Sequence, residues 1–222
     1  MLVARFKVVS LFSGAGGLDW GFKEAGFDIL FANDVLEHMT ETYSRNFGLK
    51  RVACRKPPCL AQRGIVLQAD VEHVDFSELV GEEIDALLGG SPCQDFSIVR
   101  GSEWERRGIE VRRGRLYVHF VRALVELQPK IFVFENVPGL LSANRGLAYK
   151  VILEDFRSLR LRWLEVREVM PGLDSSGSVG GYEIIYAGVA DFSRLGVPQK
   201  RERLIIVGVR KDLVGGGLKD LW

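Results

Sequence analysis

The sequence predicts an α/β domain built on a doubly wound, mostly parallel sheet. Three observations support this: short apolar runs recur along the chain, glycine-rich or polar turns follow them, and amphipathic stretches separate them. Strands that alternate with helices need crossover connections, and these cover both faces of a parallel sheet. Of the 222 residues, 47% are hydrophobic and 27% are charged, which is the balance of a globular domain and not of a disordered chain.

The strands are predicted from the apolar runs. In chain order they cover residues 8–12, 27–32, 65–68, 84–88, 131–134, 182–189 and 204–209. Helices are predicted where apolar side chains recur at helical spacing, and they cover the stretch through Leu18, Phe22 and Ala25, then residues 35–47 and 115–127. Two segments interrupt this alternation: residues 49–64 form a basic, proline-containing loop, and residues 171–181 form a flexible insertion rich in Gly and Ser.

The bulk properties argue against a membrane protein. No stretch approaches the roughly 18 to 20 consecutive apolar residues that span a bilayer, and no signal-peptide pattern precedes the first strand. We therefore expect a cytoplasmic protein. The three cysteines, Cys54, Cys59 and Cys93, are then expected to be thiols. A formal net charge of +1 gives no global signal for a polyanionic partner, so any nucleic-acid face must come from local clustering.

A glycine-rich turn, residues 13–17, follows the first strand and opens a helix. Glycines there let the backbone approach a ligand closely, and the helix N-terminus offers unpaired N–H groups. Asp34 ends the second strand, where a carboxylate can accept hydrogen bonds from ribose hydroxyls. A purely structural turn and a nicotinamide-binding domain are the alternatives, although the spacing departs from Gly-x-Gly-x-x-Gly.

A second turn, residues 89–97, follows the fourth strand and contains Cys93. In an open sheet whose strand order reverses near strands one and four, this turn lies at the carboxyl edge beside the glycine turn. A cysteine close to helix N-termini and basic groups can have its thiolate favoured. A small buried packing residue is the alternative for Cys93. Either that or an incidental loop position is the expectation for Cys54 and Cys59.

Polar groups also follow the later strands. Glu135 emerges from the apolar fifth strand, either as an acceptor for loop amides or as a group that holds a proton for a substrate nitrogen. Gln199, Arg201 and Arg203 alternate before the last strand, so an extended backbone would place them on one face. Such a face suits phosphates or a base carbonyl, and a solvated strand edge is the alternative.

Taken together and in this order, the four elements resemble the C5-cytosine DNA methyltransferase family, which uses S-adenosylmethionine. The matching runs are residues 10–17 (SLFSGAGG), 89–97 (GGSPCQDFS), 134–138 (FENVP) and 196–203 (GVPQKRER), and the resemblance spans roughly residues 7–210. It implies a Rossmann-like class I methyltransferase fold that is C-terminally incomplete. Residues 1–213 would form the catalytic domain and residues 214–222 a tail or linker.

The resemblance also implies roles for individual residues. Cys93 would add to C6 of a flipped cytosine, Glu135 would hydrogen-bond or protonate N3, and Arg203 would contact the ring carbonyl with Gln199 and Arg201 in support. No metal is implied. The residues implied in binding S-adenosylmethionine are Phe12, Ser13, Gly14, Ala15, Gly16, Gly17, Asp34, Asp70, Ser91 and Pro92.

The segment after Cys93 has the composition of a DNA-contacting loop, with a solvated charged loop as the alternative. Its cations and its aromatic residue are Arg100, Arg106, Arg107, Arg112, Arg113, Arg115 and Trp104.

Complete members of the family continue into a target-recognition domain and a returning segment, and the resemblance leads us to expect that both are missing here. A second polypeptide that supplies target recognition is the first expectation, ahead of a truncated gene and of self-association. The leading hypothesis is thus the catalytic subunit or fragment of a DNA cytosine-C5 methyltransferase, in restriction–modification or another pathway. A tRNA cytosine-C5 methyltransferase and a non-catalytic subunit that binds cofactor or nucleic acid are the alternatives.

Overall fold

The computed structural model describes residues 6–92, 116–159 and 180–214, and it divides the chain into two compact units. The first unit is Met1–Gly90 with Glu126–Phe132, and the second is Ser91–Val125 with Val133–Trp222. The strands are β1 (Lys7–Leu11), β2 (Asp28–Asp34), β3 (Lys50–Ala53), β4 (Cys59–Leu60), β5 (Ile65–Gln68), β6 (Val74–Asp75), β7 (Ala86–Gly89), β8 (Ile131–Asn136), β9 (Tyr182–Asp191) and β10 (Glu202–Arg210). The helices are α1 (Gly17–Glu24), α2 (Glu37–Phe47), α3 (Leu116–Leu127) and α4 (Leu147–Ser158). Within the described ranges, no helix combines the length and the apolar character that crossing a bilayer requires.

The first unit is organised around parallel strands in the order β3-β5-β2-β1-β7. Leu11 at the end of β1 lies opposite Asn33 on β2 and Gly89 on β7, so these strands finish at a common carboxyl edge. Their centres are fully buried, as in Val9, Phe31 and Leu87. Strands that bury both faces carry continuous apolar runs, which is why the sequence reveals them.

The second unit carries the rest of β8, followed in strand order by β10 and β9. β9 and β10 pair antiparallel, which makes the sheet mixed but mostly parallel. The core of this unit joins α3, β8 and α4 through Phe120, Phe134 and Phe156, whose ring centroids lie 5.2 to 5.8 Å apart. Edge-to-face packing of this kind stabilises aromatic clusters beyond simple burial.

The mostly parallel α/β architecture confirms the predicted fold class, but the prediction omitted some elements. Helix α4 was not predicted, although Ala148, Ile152 and Phe156 recur at helical spacing and are all buried. The segment 49–64 was predicted as a loop, whereas it contains the short strands β3 and β4. β3 is an edge strand that starts with two cations, so it lacks the apolar run that identifies a central strand.

The expectation that all three cysteines are thiols is wrong for two of them, because Cys54 and Cys59 form a disulfide. β3 ends immediately before Cys54, and β4 begins at Cys59. The chain between these strands brings the two Cα atoms to 5.7 Å, inside the range that a disulfide needs. Sequence spacing alone does not reveal such an approach.

Charged side chains tie together the opposite, amino edge of the first unit. Lys7 Nζ lies 2.7 Å from Glu82, and Arg63 lies 3.1 Å from the same carboxylate. Hydrogen bonding from Lys7 lowers the pKa of Glu82. Asp85 accepts from the Lys7 backbone N–H at 2.7 Å and from Lys130 Nζ at 2.8 Å. The cations at this edge are therefore largely neutralised by carboxylates.

Candidate active-site residues in the two units

The glycine turn leaves open space above its backbone. Gly14 has φ 55° and Gly16 has φ 89°, which are left-handed values that favour glycine. A Cβ built on Gly14 or Gly17 would meet no atom within 4 Å. Phe12 also has a positive φ, 54°, and Ala15 is exposed. A ligand can therefore approach the backbone at the start of α1.

Asp34 lies beside this turn, as the sequence predicted. Its Oδ2 accepts the Gly14 backbone N–H at 2.9 Å, and its Oδ1 accepts the Leu36 N–H at 2.9 Å. The carboxylate is half-buried, so part of it stays accessible to a ligand. The structure thus brings together two of the predicted cofactor-binding groups.

Asp70 follows the adjacent strand. It is exposed, and its Oδ1 accepts the Glu72 N–H at 3.1 Å, which caps a short 3₁₀ turn. The Ala69 N–H donates to the Asp34 carbonyl at 3.2 Å, so Asp70 comes one residue after a direct contact with the end of β2. The two predicted acids therefore follow neighbouring strand ends.

Asn33 holds these strand ends together, and sequence reasoning did not identify it. Its side chain is buried, and Nδ2 donates to the Leu67 carbonyl at 3.1 Å and to the Ala69 carbonyl at 2.9 Å. A buried side-chain amide at the end of an apolar strand must find hydrogen-bond partners. The position of Asn33 in the sequence could therefore have indicated this role.

Two further features of this region fit a ligand with both polar and apolar parts. Ser13 Oγ is buried and has no hydrogen-bond partner within the described residues. Val35 and Leu36, directly after Asp34, are 57% and 47% exposed. The sequence predicts a helix from residue 35, whereas the helix starts at Glu37 and leaves these two residues in the connection before it. The region therefore offers an open backbone turn, a carboxylate, an unpartnered hydroxyl and two apolar side chains. These groups suit a ligand that joins a nucleoside to an amino acid.

A buried acid and two aromatic rings support the turn from below. Asp19 on α1 is only 1% exposed, and its burial raises its pKa. The Tyr43 hydroxyl donates to Asp19 at 2.9 Å, and the Tyr43 ring stacks on Phe47 with centroids 4.2 Å apart. A Cβ on Gly16 would lie 2.3 Å from an atom of the Phe47 ring, so this glycine is packed directly against the aromatic pair.

We expect Gly16→Ala to destabilise the protein by about 1–3 kcal/mol, because the new methyl group meets the Phe47 ring and the residue is held at a left-handed φ. Urea unfolding measures the change. Gly17→Ala is the matched control, since that position has free space and no positive φ. Equal destabilisation by both substitutions would contradict the packing argument.

In the second unit, Glu135 and Arg203 form an ion pair. Glu135 lies near the end of β8 and Arg203 on β10, with Arg203 Nε 2.8 Å from Glu135 Oε1. The side chains are 28% and 22% exposed, so a substrate can reach them. Arg203 Nη1 also donates to the Glu202 carbonyl at 2.7 Å. Within the described residues, Glu135 Oε2 and Arg203 Nη2 make no such contact, so the carboxylate keeps an acceptor oxygen and the guanidinium keeps N–H donors for a ligand.

Asn136, the next residue, fixes the start of the cysteine turn. It is 2% exposed; its Nδ2 donates to the Ser91 carbonyl at 3.0 Å, and its Oδ1 accepts the Val137 N–H at 2.9 Å. Ser91 is buried with an unpartnered Oγ among the described residues, and Pro92 is exposed. Ser91 and Pro92 immediately precede Cys93, so Asn136 couples the end of β8 to that turn. Sequence reasoning did not assign it a role.

Gln199 does not lie in the extended segment predicted for it. β10 begins at Glu202, and Gln199 lies in a bend before it, so the alternation of an extended strand does not reach back to Gln199. The side chains of Gln199 and Arg201 are exposed, and Arg203 alone of the three contacts Glu135. The bend comprises Pro198 and Gln199.

Other predictions fall outside the described residues. These are Cys93 itself, the arginine-rich segment 100–115, most of the insertion 171–181 and the tail beyond Val214. Within the part of the chain that is described, no group of three or more His, Cys, Asp or Glu side chains is arranged to hold a metal ion.

Comparison with known proteins gives consistent results. A family model described as C-5 cytosine-specific DNA methylase matches residues 6–162. The chain is 58% identical over 221 residues to DNA (cytosine-5-)-methyltransferase M.ApeKI of Aeropyrum pernix, covering 99% of this chain and 47% of that protein. It is 36% identical to type II methyltransferase M.NgoFVII of Neisseria gonorrhoeae, covering 93% of this chain and 44% of that one. The chain therefore spans about half the length of the curated relatives it matches.

Solved structures give the same fold. A putative DNA modification methyltransferase encoded within an E. coli prophage aligns with a TM-score of 0.63 and 29% identity, covering 95% of this chain and 48% of that one. The Dnmt2 methyltransferase of S. pombe aligns with a TM-score of 0.59 and 16% identity, covering 93% and 50% of the two chains. At that identity the second likeness concerns the fold alone.

Proposed function

The chain belongs to the C-5 cytosine-specific DNA methylase family, and from this premise we propose that it transfers a methyl group from S-adenosylmethionine to C5 of cytosine in DNA. The observation that carries the proposal is the accessible Glu135–Arg203 pair, together with Asn136 holding the backbone that leads into Cys93. A carboxylate and a guanidinium with unused hydrogen-bonding positions match the ring nitrogen and carbonyl of a cytosine.

The first unit would hold the cofactor. The open glycine turn and the Ser13 hydroxyl suit its amino-acid end, and the Asp34 carboxylate suits the ribose hydroxyls. Val35 offers an exposed apolar side chain for a flat base, and Asp70 an acceptor for its amino group. The family resemblance also assigns cofactor contacts to Ser91 and Pro92. S-adenosylmethionine, when bound, supplies an electrophilic methyl group.

Cys93 would act as the nucleophile. C5 of cytosine is a poor nucleophile, and addition of the Cys93 thiolate to C6 makes it electron-rich enough to take the methyl group. Removal of the C5 proton then lets the electron pair re-form the C5–C6 bond and expel the thiolate. The covalent bond thus forms and breaks within one turnover, and the cysteine is regenerated.

Glu135 and Arg203 would stabilise the charge that develops in the ring when the thiolate adds. Glu135 would hydrogen-bond or protonate N3, and Arg203 would donate to the ring carbonyl, with Gln199 and Arg201 available for the nearby backbone. The target base would have to be flipped out of the duplex, because neither group can reach it while it is stacked.

Target recognition is a separate proposal. The curated relatives are about twice as long as the matched region, and we propose that sequence-specific reading of DNA resides in their unmatched half. A second polypeptide, or further sequence joined to this one, would supply that part. The names of the relatives make a modification enzyme of a restriction system the natural setting.

A trapping experiment tests the function. The protein, alone and with any polypeptide encoded beside it, is incubated with S-adenosylmethionine and duplex DNA containing 5-fluorocytosine, whose fluorine blocks loss of the C5 substituent. We expect a covalent protein–DNA adduct that is resistant to denaturation and absent in Cys93→Ser. Cys54→Ser is the matched cysteine control and should retain the adduct.

The competing functions predict other outcomes. An adduct with fluorocytosine-containing tRNA and none with DNA would move the substrate to RNA. Cofactor or DNA binding without an adduct to either nucleic acid would indicate a non-catalytic binding subunit and would contradict the proposal.

A further inference from the structure

The disulfide closes a six-residue loop, residues 54–59, which we call the disulfide loop. β3 runs parallel to β5, with Ala53 opposite Gln68, so the loop leaves the sheet at its carboxyl edge. The Cys54 N–H donates to the Gln68 carbonyl at 3.0 Å. Gln68 is two residues before Asp70, so the disulfide loop stands at the same edge as the cofactor-binding acids.

Both ends of the disulfide loop are anchored. At one end Cys54 continues β3; at the other, Cys59 is 2% exposed and pairs through β4 with Val74 on β6. The Ala61 N–H donates to the Asp75 carbonyl at 2.8 Å just after the loop. The disulfide joins the two ends covalently, so the residues between them are presented from a closed frame.

Two exposed cations, Arg55 and Lys56, occupy the tip beside two exposed prolines. Neither cation has an ion pair within the described residues. Five of the seven other described cations of the same unit have carboxylate partners, whereas Lys23 and Lys50 have none: Arg51 pairs with Glu37, Arg45 with Glu41, Arg63 and Lys7 with Glu82, and Lys130 with Asp85. With an overall charge of only +1, a pair of uncompensated cations is a local feature of the surface.

We propose that the disulfide loop binds the phosphate backbone of the DNA on which the enzyme acts, a contact that rests on the proposed function. Ligands of open parallel sheets approach the carboxyl edge. Arg55 and Lys56 stand at this edge, and their charges complement the phosphates of a duplex. Contacts from Arg and Lys to phosphate fix the position of a duplex and carry no sequence information. A loop closed at both ends loses little conformational freedom on binding, which favours the contact.

The double variant Arg55→Ala/Lys56→Ala tests the proposal. Binding of a fluorescent duplex of random sequence is measured between 50 and 200 mM salt on the full chain. Loss of two phosphate contacts should lower the slope of log affinity against log salt by about 1.8 and weaken binding roughly 10-fold or more at the lowest salt. Affinity for S-adenosylmethionine should not change, because the substituted side chains do not belong to the cofactor-binding group.

The matched control is Lys50→Ala/Arg63→Ala. It removes the same two charges from the same unit, but both residues lie at the amino ends of β3 and β5. The control should keep the wild-type salt slope. A swapped variant, Arg55→Lys/Lys56→Arg, keeps the charges and should also keep the slope; a loss as large as that of the alanine variant would contradict a phosphate contact.

An alanine variant that binds DNA with wild-type affinity and slope overturns the proposal, and so does an equal loss in the Lys50/Arg63 control. The trapping experiment separates these outcomes from the proposed function. If the variant loses affinity while no protein traps fluorocytosine, the loop contact stands and the catalytic assignment fails. If trapping succeeds and the slope is unchanged, the catalytic assignment stands and the loop contact fails.

Discussion

Replacing Glu135 by glutamine is expected to lower kcat by about 100-fold to 10,000-fold, the range associated with loss of a positioned acid–base group. Glutamine keeps the shape of the side chain but cannot deliver a proton to a ring nitrogen. It also removes the charge that Arg203 Nε contacts at 2.8 Å, so the guanidinium loses its anchor as well. The rate of fluorocytosine adduct formation, measured at saturating cofactor, reports this step directly.

Glu183→Gln is the control for this prediction. Glu183 is an exposed carboxylate on β9, the strand paired with the one that carries Arg203, so the substitution makes the same chemical change outside the candidate site. It should leave the rate within about 2-fold of the wild type. A Glu135→Gln enzyme with a near wild-type rate would remove Glu135 from the mechanism.

The second large effect is expected from Asn136→Asp. The substitution puts a carboxylate oxygen where Nδ2 now donates to the Ser91 carbonyl at 3.0 Å, in a position that is 2% exposed. Two acceptors then face each other in a buried site, and the backbone before Cys93 must shift. A displacement of about 1 Å at a reacting group can cost 100-fold in rate, so we expect a fall in kcat of about 10-fold to 100-fold with little change in the KM for S-adenosylmethionine.

Asn33→Asp is the matched substitution, and it is expected to change the KM for the cofactor and not kcat. Asn33 is also a buried asparagine at a strand end that donates to backbone carbonyls, but these carbonyls belong to Leu67 and Ala69, just before Asp70. Its loss should raise the KM for the cofactor and leave kcat at saturation largely intact. If Asn33→Asp and Asn136→Asp changed the same parameter, general destabilisation and not positioning would account for both.

The central strands were predictable from sequence for a physical reason. β1, β2, β5 and β7 are buried at their centres, so each contains a mostly apolar run. Edge elements lack that requirement. β3 has four residues and β4 two, and neither is apolar enough to be distinguished from a loop.

The candidate site was predictable in its charged members but not in its supports. Glu135 and Asp34 end strands whose apolar runs locate them, and the structure puts them against Arg203 and Gly14. Their catalytic and cofactor-binding roles remain predictions. Asn33 and Asn136 act through carbonyls that lie 34 to 45 residues away in sequence, and no local pattern indicates such pairs. Gln199 departs from the face predicted for it with Arg201 and Arg203, because that prediction requires an extended backbone and Gln199 lies in a bend.

The Cys54–Cys59 disulfide has a practical consequence for work on the candidate nucleophile. Cys93 is the one other cysteine in the sequence, so the oxidised protein should take up one equivalent of a thiol reagent and the fully reduced protein three. A maleimide fluorophore would then attach at a single site without prior mutagenesis. Protection of that site by bound DNA would provide an optical readout of Cys93 that does not require turnover.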